Sequence, residues 1–248
     1  MLADIHTHIL PGIDDGSKDP DMSLEMLRRQ RDMGVGTVVL TPHFYRNHER
    51  PDHFFQRRRE ACHRLGQRLL ELPEEERRSL PHLLLGAEVA WVPNLPDWDE
   101  LEQFCFTGTR YLLLELPFRT WDENMLRQLY ELVSKGRVTP IIAHLERYLK
   151  DQKPEHIQEI LGLGVPVQVS AEPMLHFFQG RTVLRMLKTH EAQITASDCH
   201  NLTSRPPCLG PAMEVVERKL GAHRATSIRR HMCEYTEQDN QYNDILFQ

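Results

Sequence analysis

The chain lacks any stretch near the roughly 18 consecutive apolar residues that a membrane span requires. Its first residues do not read as a secretion signal, because Asp4 and two histidines interrupt any apolar core there. It lacks a C-x-x-C pair, and its five cysteines (Cys62, Cys105, Cys199, Cys208 and Cys233) are odd in number. That usage argues against a disulfide framework and for reduced thiols in a cytoplasmic protein without membrane insertion. There is no basic excess either: 30 Lys and Arg stand against 36 Asp and Glu, a formal charge of −6, which weighs against nucleic acid as a partner. The run Arg57-Arg58-Arg59, with Glu60 beside it in a predicted helix, reads as a solvated helix face. Internal repeats, linkers and low-complexity tracts are missing, so the 248 residues are expected to form one domain.

Present instead are seven short apolar runs, at about 2–6, 36–41, 83–88, 110–115, 138–143, 165–169 and 193–197, that end on or beside residues able to bind a metal. Segments of helical spacing separate them. Asp21–Met33 stops at Gly34, a good residue to follow a helix. Asp52 is placed to cap a long helix ending before Pro73, and Asp122 one ending at Gly136. Further helices are predicted over Pro154–Gly162, Met174–His190, Pro211–Leu220 and Ala222–Tyr235. The polar tail 234–248 is expected to be partly mobile. Strand alternating with helix seven times predicts a mostly parallel α/β sheet, barrel-like, with its chemistry at the strand C-termini.

The candidates gather at those ends. Asp4-Ile5-His6-Thr7-His8 places His6 and His8 on one face of a strand, since residues i and i+2 point the same way. Asp198 and His200 repeat that spacing. Between them come Asp14 and Asp15 in a turn, His43, Glu88, Glu115 and His144. A lone histidine at a strand end is more often structural, and a lone glutamate more often a cap. Here five imidazoles and at least four carboxylates converge on one mouth, where uncompensated carboxylates would repel one another and be costly to desolvate. Divalent cations remove that difficulty. Nine ligands without thiolates suit two or three ions of Zn, Mn, Fe or Co better than Ca or Mg. Three dications against four carboxylates leave about +2, which attracts an anionic substrate. Arg147 and Arg205 follow two of the ligand-bearing strands and offer forked donors suited to phosphate.

The motifs DIHTHILPGIDDG, TPH, LGAEV, LLLELPF, AHLERY and SDCHN together resemble the PHP (polymerase and histidinol phosphatase) family. Within it they are most similar to the bacterial protein-tyrosine-phosphatase branch associated with capsular and extracellular polysaccharide synthesis. The resemblance runs from residue 2 to about 205 and implies a distorted (β/α)7 barrel. It implies one metal held by His6, His8, Glu88 and Asp198, a second by Asp15, His43 and His200, and a third by Glu88, Glu115 and His144. Asp15 rather than Asp14 follows from the second Asp of the GIDDG turn. It also implies phosphate binding by Arg147 and Arg205, manganese as the usual metal, and a substrate in the tyrosine-rich tail of an autophosphorylating bacterial tyrosine kinase. The branch usually has Pro where this chain has Leu145, a departure that removes no ligand.

Three other readings compete. Cys199 and Arg205 have the C-x5-R spacing of cysteine-dependent tyrosine phosphatases, but the intervening residues lack glycine and Pro206-Pro207 follows. Cys199 would also point away from Asp198 and His200 in a strand. A small phosphomonoester such as histidinol phosphate would use the same metals. A non-enzymatic PHP module predicts lost ligands, and none is lost.

Overall fold

The structure is a computed structural model that describes residues 1–176 and 178–236. Among the described residues nine strand segments pair in parallel throughout: β1 (Leu2–Thr7), β2 (Val35–Leu40), β3 (His43–Phe44), β4 (His82–Leu85), β5 (Glu88–Ala90), β6 (Tyr111–Glu115), β7 (Thr139–Ile142), β8 (Gln168–Ser170) and β9 (Ile194–Ala196). They make seven staves, because two staves are each broken once. Thr41-Pro42 interrupts the first of these between β2 and β3, where proline has no N–H for a ladder. Gly86-Ala87 interrupts the next, between β4 and β5. A Cβ on Gly86 would stand 2.7 Å from the Phe106 ring, so the bend needs glycine there. The hydrogen bonds Gly86 N–H to Leu40 C=O (2.9 Å) and Glu88 N–H to Pro42 C=O (3.1 Å) carry the pairing across both breaks.

The ring closes at two further points. Ile142 bridges to Val167, and Thr7 bridges to Cys199 with Asp198 N–H donating to His6 C=O at 2.9 Å. The seven predicted runs are these seven staves, arranged as a distorted (β/α)7 barrel. Ile5, Val38, Leu84, Leu113, Ile141, Val169 and Ile194, one from each stave, are almost wholly buried. Burial on both faces is what parallel strands wrapped by helices require.

The helices are α1 (Pro20–Asp32), α2 (Pro51–Leu70), α3 (Glu74–Ser79), α4 (Glu123–Lys135), α5 (Pro154–Gly162), α6 (Gly180–Lys188), α7 (Leu209–Leu220) and α8 (Ala222–Glu234). Asp122 caps α4 by accepting from Met125 N–H, and Gly136 ends it in the left-handed conformation, both as predicted. Asp52 does not cap α2. Pro51 takes the first helical turn, for which its fixed φ is suited, and Asp52 lies inside that turn. The helix predicted from Met174 is instead a 3-10 turn (Glu172–Leu175) followed by α6. Gly180 packs back on that turn, where an added Cβ would meet Pro173 C=O at 3.0 Å. Within the predicted tail, Tyr235 is buried with its ring 4.8 Å from that of Tyr111. Residues 237–248, the rest of that expectation, lie outside the described residues. Among the described residues no helix is long and apolar enough to cross a membrane.

Candidate metal centre at the strand ends

The residues singled out in the sequence meet at the C-terminal mouth of the barrel. His6 is the penultimate residue of β1 and His8 lies just beyond its end, both with no exposed surface. β3 and β5 pair His43 with Glu88 directly, and β6 delivers Glu115. His144 follows β7, while Asp198 and His200 follow β9. His144 (φ 33°) and Asp198 (φ 52°) occupy the left-handed region, strained for residues with a Cβ. The fold holds that strain where it turns these side chains into the mouth.

Glu88 is the hub. Its Oε1 lies 2.9 Å from His144 Nε2, and its Oε2 lies 3.0 Å from His43 Nδ1, 3.1 Å from His6 Nε2 and 3.3 Å from His8 Nε2. Asp198 Oδ1 is 3.3 Å from His6 Nε2 and 3.4 Å from His8 Nε2. Asp15 Oδ1 stands 3.5 Å from His43 Nε2 and 3.4 Å from His200 Nε2, and Glu115 Oε1 is 3.6 Å from His144 Nε2. All nine predicted ligands are therefore brought together. They form overlapping groups: His8 with Asp15, His43 and His200; His6 and His8 with Asp198; His43 with Glu88 and Glu115. His144 joins through its contacts with Glu88 and Glu115.

The donor set fits divalent cations. Two ligand atoms about 2.1 Å from one ion lie about 3.0–3.4 Å apart at ordinary coordination angles, the spacing found around Glu88 and Asp198. Glu88 Oε2 and His200 Nε2 are buried without a hydrogen-bond partner, despite the nitrogens and oxygens around them. Buried polar atoms are rarely left so, and atoms that face a common point rather than one another call for a cation there.

Neighbouring groups turn the imidazoles toward that point. His8 Nδ1 lies 2.8 Å from Asp14 Oδ2, and His6 Nδ1 lies 3.3 Å from Gln168 Oε1. His200 Nδ1 lies 3.0 Å from the Asp198 carbonyl. Each of these oxygens is placed to accept a hydrogen bond from Nδ1–H, which leaves Nε2 to face the cage, the arrangement usual behind metal-bound histidine. Gln168 Oε1 also accepts from His144 N–H at 2.8 Å, and Asp14 Oδ2 from His43 N–H at 3.0 Å.

Two of these roles escaped the sequence reading. The sixth run carries no ligand but has Gln168, at the start of β8, a buried amide whose partners are far away in the chain. Asp14 is the orienting carboxylate, while Asp15, 67% exposed, reaches the cage as predicted. Tyr45, also not anticipated, places its hydroxyl 3.1 Å from His43 Nδ1.

Burial and the neighbouring groups together set the ionisation of each side chain. Burial alone would raise the Glu88 and Asp198 carboxyls, but His6 and the other imidazoles hold both well below the usual range. Burial opposes protonation of His6 and His8 too, yet Glu88 and Asp198 raise His6, and Asp14 raises His8. Burial and the neighbouring His8 push His200 down to about 3, so it stays neutral. Burial, with Glu88 next to it, raises Glu115.

Arg147 and Arg205 both donate from Nη2 to Asp198 Oδ2, Arg205 at 2.7 Å. They stand at the rim, each about one-third exposed. Cys199 is elsewhere. Its thiol is fully buried, accepts from Gln30 Nε2 at 3.8 Å, and is pushed well up by burial and by Asp4, so it offers no thiolate to the mouth.

The sequence profile of a family described as "Capsular polysaccharide synthesis, CpsB/CapC" matches residues 2–235. The tyrosine-protein phosphatase YwqE of Bacillus subtilis (strain 168) is 29% identical over 232 residues, which cover 89% of this chain and 86% of that protein. The tyrosine-protein phosphatase CpsB of Streptococcus agalactiae serotype V is 28% identical over 240 residues, covering 92% and 94%. Among solved structures, one from a study of YwqE from Bacillus subtilis and CpsB from Streptococcus pneumoniae, described as unique metal-dependent tyrosine phosphatases, superposes with a TM-score of 0.81 at 25% identity. The match covers 98% of this chain and 97% of that one.

Proposed function

This chain belongs to the CpsB/CapC family of capsular polysaccharide synthesis, and we propose that it is a metal-dependent protein-tyrosine phosphatase, a hydrolase of phosphoric monoesters. The observation that carries the reading is the single cage in which Glu88 meets His6, His8, His43 and His144 within 3.3 Å. The names of its relatives support phosphotyrosine as the substrate class. The reading takes residues 1–248 as one domain.

His6, His8, Asp15, His43, Glu88, Glu115, His144, Asp198 and His200 would hold the metal, three divalent ions with manganese foremost and zinc, iron or cobalt as substitutes. Such ions, when bound, supply Lewis acidity toward the phosphoryl oxygens and acidify water near neutral pH. Arg147 and Arg205 would grip the phosphoryl oxygens with planar forks and stabilise charge as it develops there. Asp14 and Gln168 keep the imidazoles fixed, so little rearrangement accompanies reaction. A phenolate leaving group, with a pKa of ~10, needs less help from a strong general acid than an alkoxide would.

The substrate we assign is the phosphotyrosine-bearing tail of a bacterial tyrosine kinase that controls capsule or exopolysaccharide synthesis, met in the cytoplasm. The test is to strip the protein with a chelator, verify its metal content by elemental analysis, and assay a phosphotyrosine peptide before and after adding manganese. Activity lost and then restored is expected; full turnover by verified metal-free protein overturns the reading.

A further inference from the structure

Phe118 is a large apolar side chain with 52% of its surface exposed, three residues beyond the candidate ligand Glu115. Its ring lies nearly parallel to the His144 imidazole, with 18° between the planes and 6.0 Å between centroids, and 5.1 Å from the ring of Tyr148. The loop that carries it is pinned. Leu116 N–H donates to Tyr148 Oη at 3.1 Å, and the Trp121 indole N–H donates to Pro117 C=O at 2.9 Å. A phenylalanine held in place at the edge of a polar cage, with half its surface in water, gains nothing for the fold from that exposed half. Its cost is recovered when something apolar covers it.

Tyr45 occupies a comparable place beside His43, with 5.1 Å between centroids and 27° between planes. It differs in being turned inward, its hydroxyl bound to His43 Nδ1. Phe118 has no polar atom to satisfy and offers an open aryl surface.

We infer that Phe118 is the platform on which the aromatic ring of an aryl phosphate lies while its phosphoryl group sits at the cage, and so a determinant of aryl over alkyl phosphomonoesters. The inference rests on the phosphatase reading above and adds a specificity residue to it. Two aromatic rings in offset or edge contact attract beyond the area they cover. A phosphoserine side chain carries no ring and leaves the Phe118 surface wet. Because ring contact is made in the bound substrate as well as during reaction, it acts on binding more than on turnover.

The experiment uses the full-length, manganese-loaded protein and its Phe118→Ala, Phe118→Leu and Phe118→Tyr variants. For a phosphotyrosine peptide, Phe118→Ala should raise KM by about five- to twentyfold with kcat changed by about twofold or less. Phe118→Leu should recover little, and Phe118→Tyr most of the loss. The inhibition constants of inorganic phosphate and of the same peptide carrying phosphoserine should stay at the wild-type value, because neither places a ring on the platform. Metal content is measured for every variant. An unchanged KM in Phe118→Ala overturns the inference. So does a parallel weakening of phosphate inhibition or a loss of metal, either of which would mean the ring merely supports His144. A wild-type protein inert toward phosphotyrosine overturns the phosphatase reading and takes the role of Phe118 with it.

Discussion

Asp14 Oδ2 lies 2.8 Å from His8 Nδ1, so a carboxylate outside the cage sets which nitrogen of a cage imidazole faces inward. Asp14 is also held below the ordinary carboxyl range, burial being outweighed by His8 and by the Gly16 and His43 amides. It is therefore ionised at neutral pH and strengthens His8 as a donor.

Replacing it tests that support. Asp14→Ala leaves all nine candidate ligands in place yet should weaken divalent-cation binding roughly 10- to 100-fold. Titration calorimetry with manganese reads this directly. An unaltered affinity would remove Asp14 from the supporting role.

Metal uptake should release protons. In the ion-free protein the neighbouring carboxylates outweigh burial and raise both groups, His8 well above the usual imidazole range, so the pair holds its protons to higher pH than free imidazoles do. A cation bound at Nε2 must displace them, so affinity should rise with pH until the pH passes those raised values. Calorimetry in buffers of different ionisation enthalpy measures the protons set free. No release at pH 7 would contradict the assignment of His6 and His8 as ligands.

The arginines should matter for turnover without retaining the metal. Arg147→Ala and Arg205→Ala should each lower kcat/KM on a phosphotyrosine peptide by roughly 10²- to 10³-fold, the scale of losing a donor aimed at developing charge. Elemental analysis should find no loss of metal from either variant. Wild-type turnover in either variant would exclude that arginine from the clamp.

Cys199→Ala should turn over substrate at close to the wild-type rate, since the thiol is buried beside Gln30 and held protonated. Abolished activity in a variant that still folds, judged by circular dichroism, would revive a thiolate mechanism.

How much of this was legible in the chain depends on the range of the interaction involved. The seven staves were visible as apolar runs, and the cap at Asp122 with the stop at Gly136 is a local pattern that structure had no cause to override. His6 and His8 were legible because a strand sets i and i+2 on one face. Gln168 was not, because its meaning lies in contacts with His6, 162 residues away, and with His144. Likewise Met174–His190 has helical spacing throughout, yet Gly180 packs back against Pro173 and Met174, a contact the spacing does not show. For Asp14 and Asp15 the resemblance singled out Asp15 as the ligand, but the orienting role of Asp14 required the turn itself. That turn buries one carboxylate against His8 and exposes the other toward His43 and His200.

Asp198 has one oxygen among the imidazoles and the other under both guanidiniums. Loading the cage with cations and freeing the arginines are thus two ends of one thermodynamic linkage. An anion that drew Arg147 and Arg205 away would leave Asp198 more negative toward the cage and would tighten its hold on any cation there. By reciprocity, a filled cage loosens the arginines for the next anion. Substrate and metal should each be found to favour the other, through a carboxylate that neither has to itself.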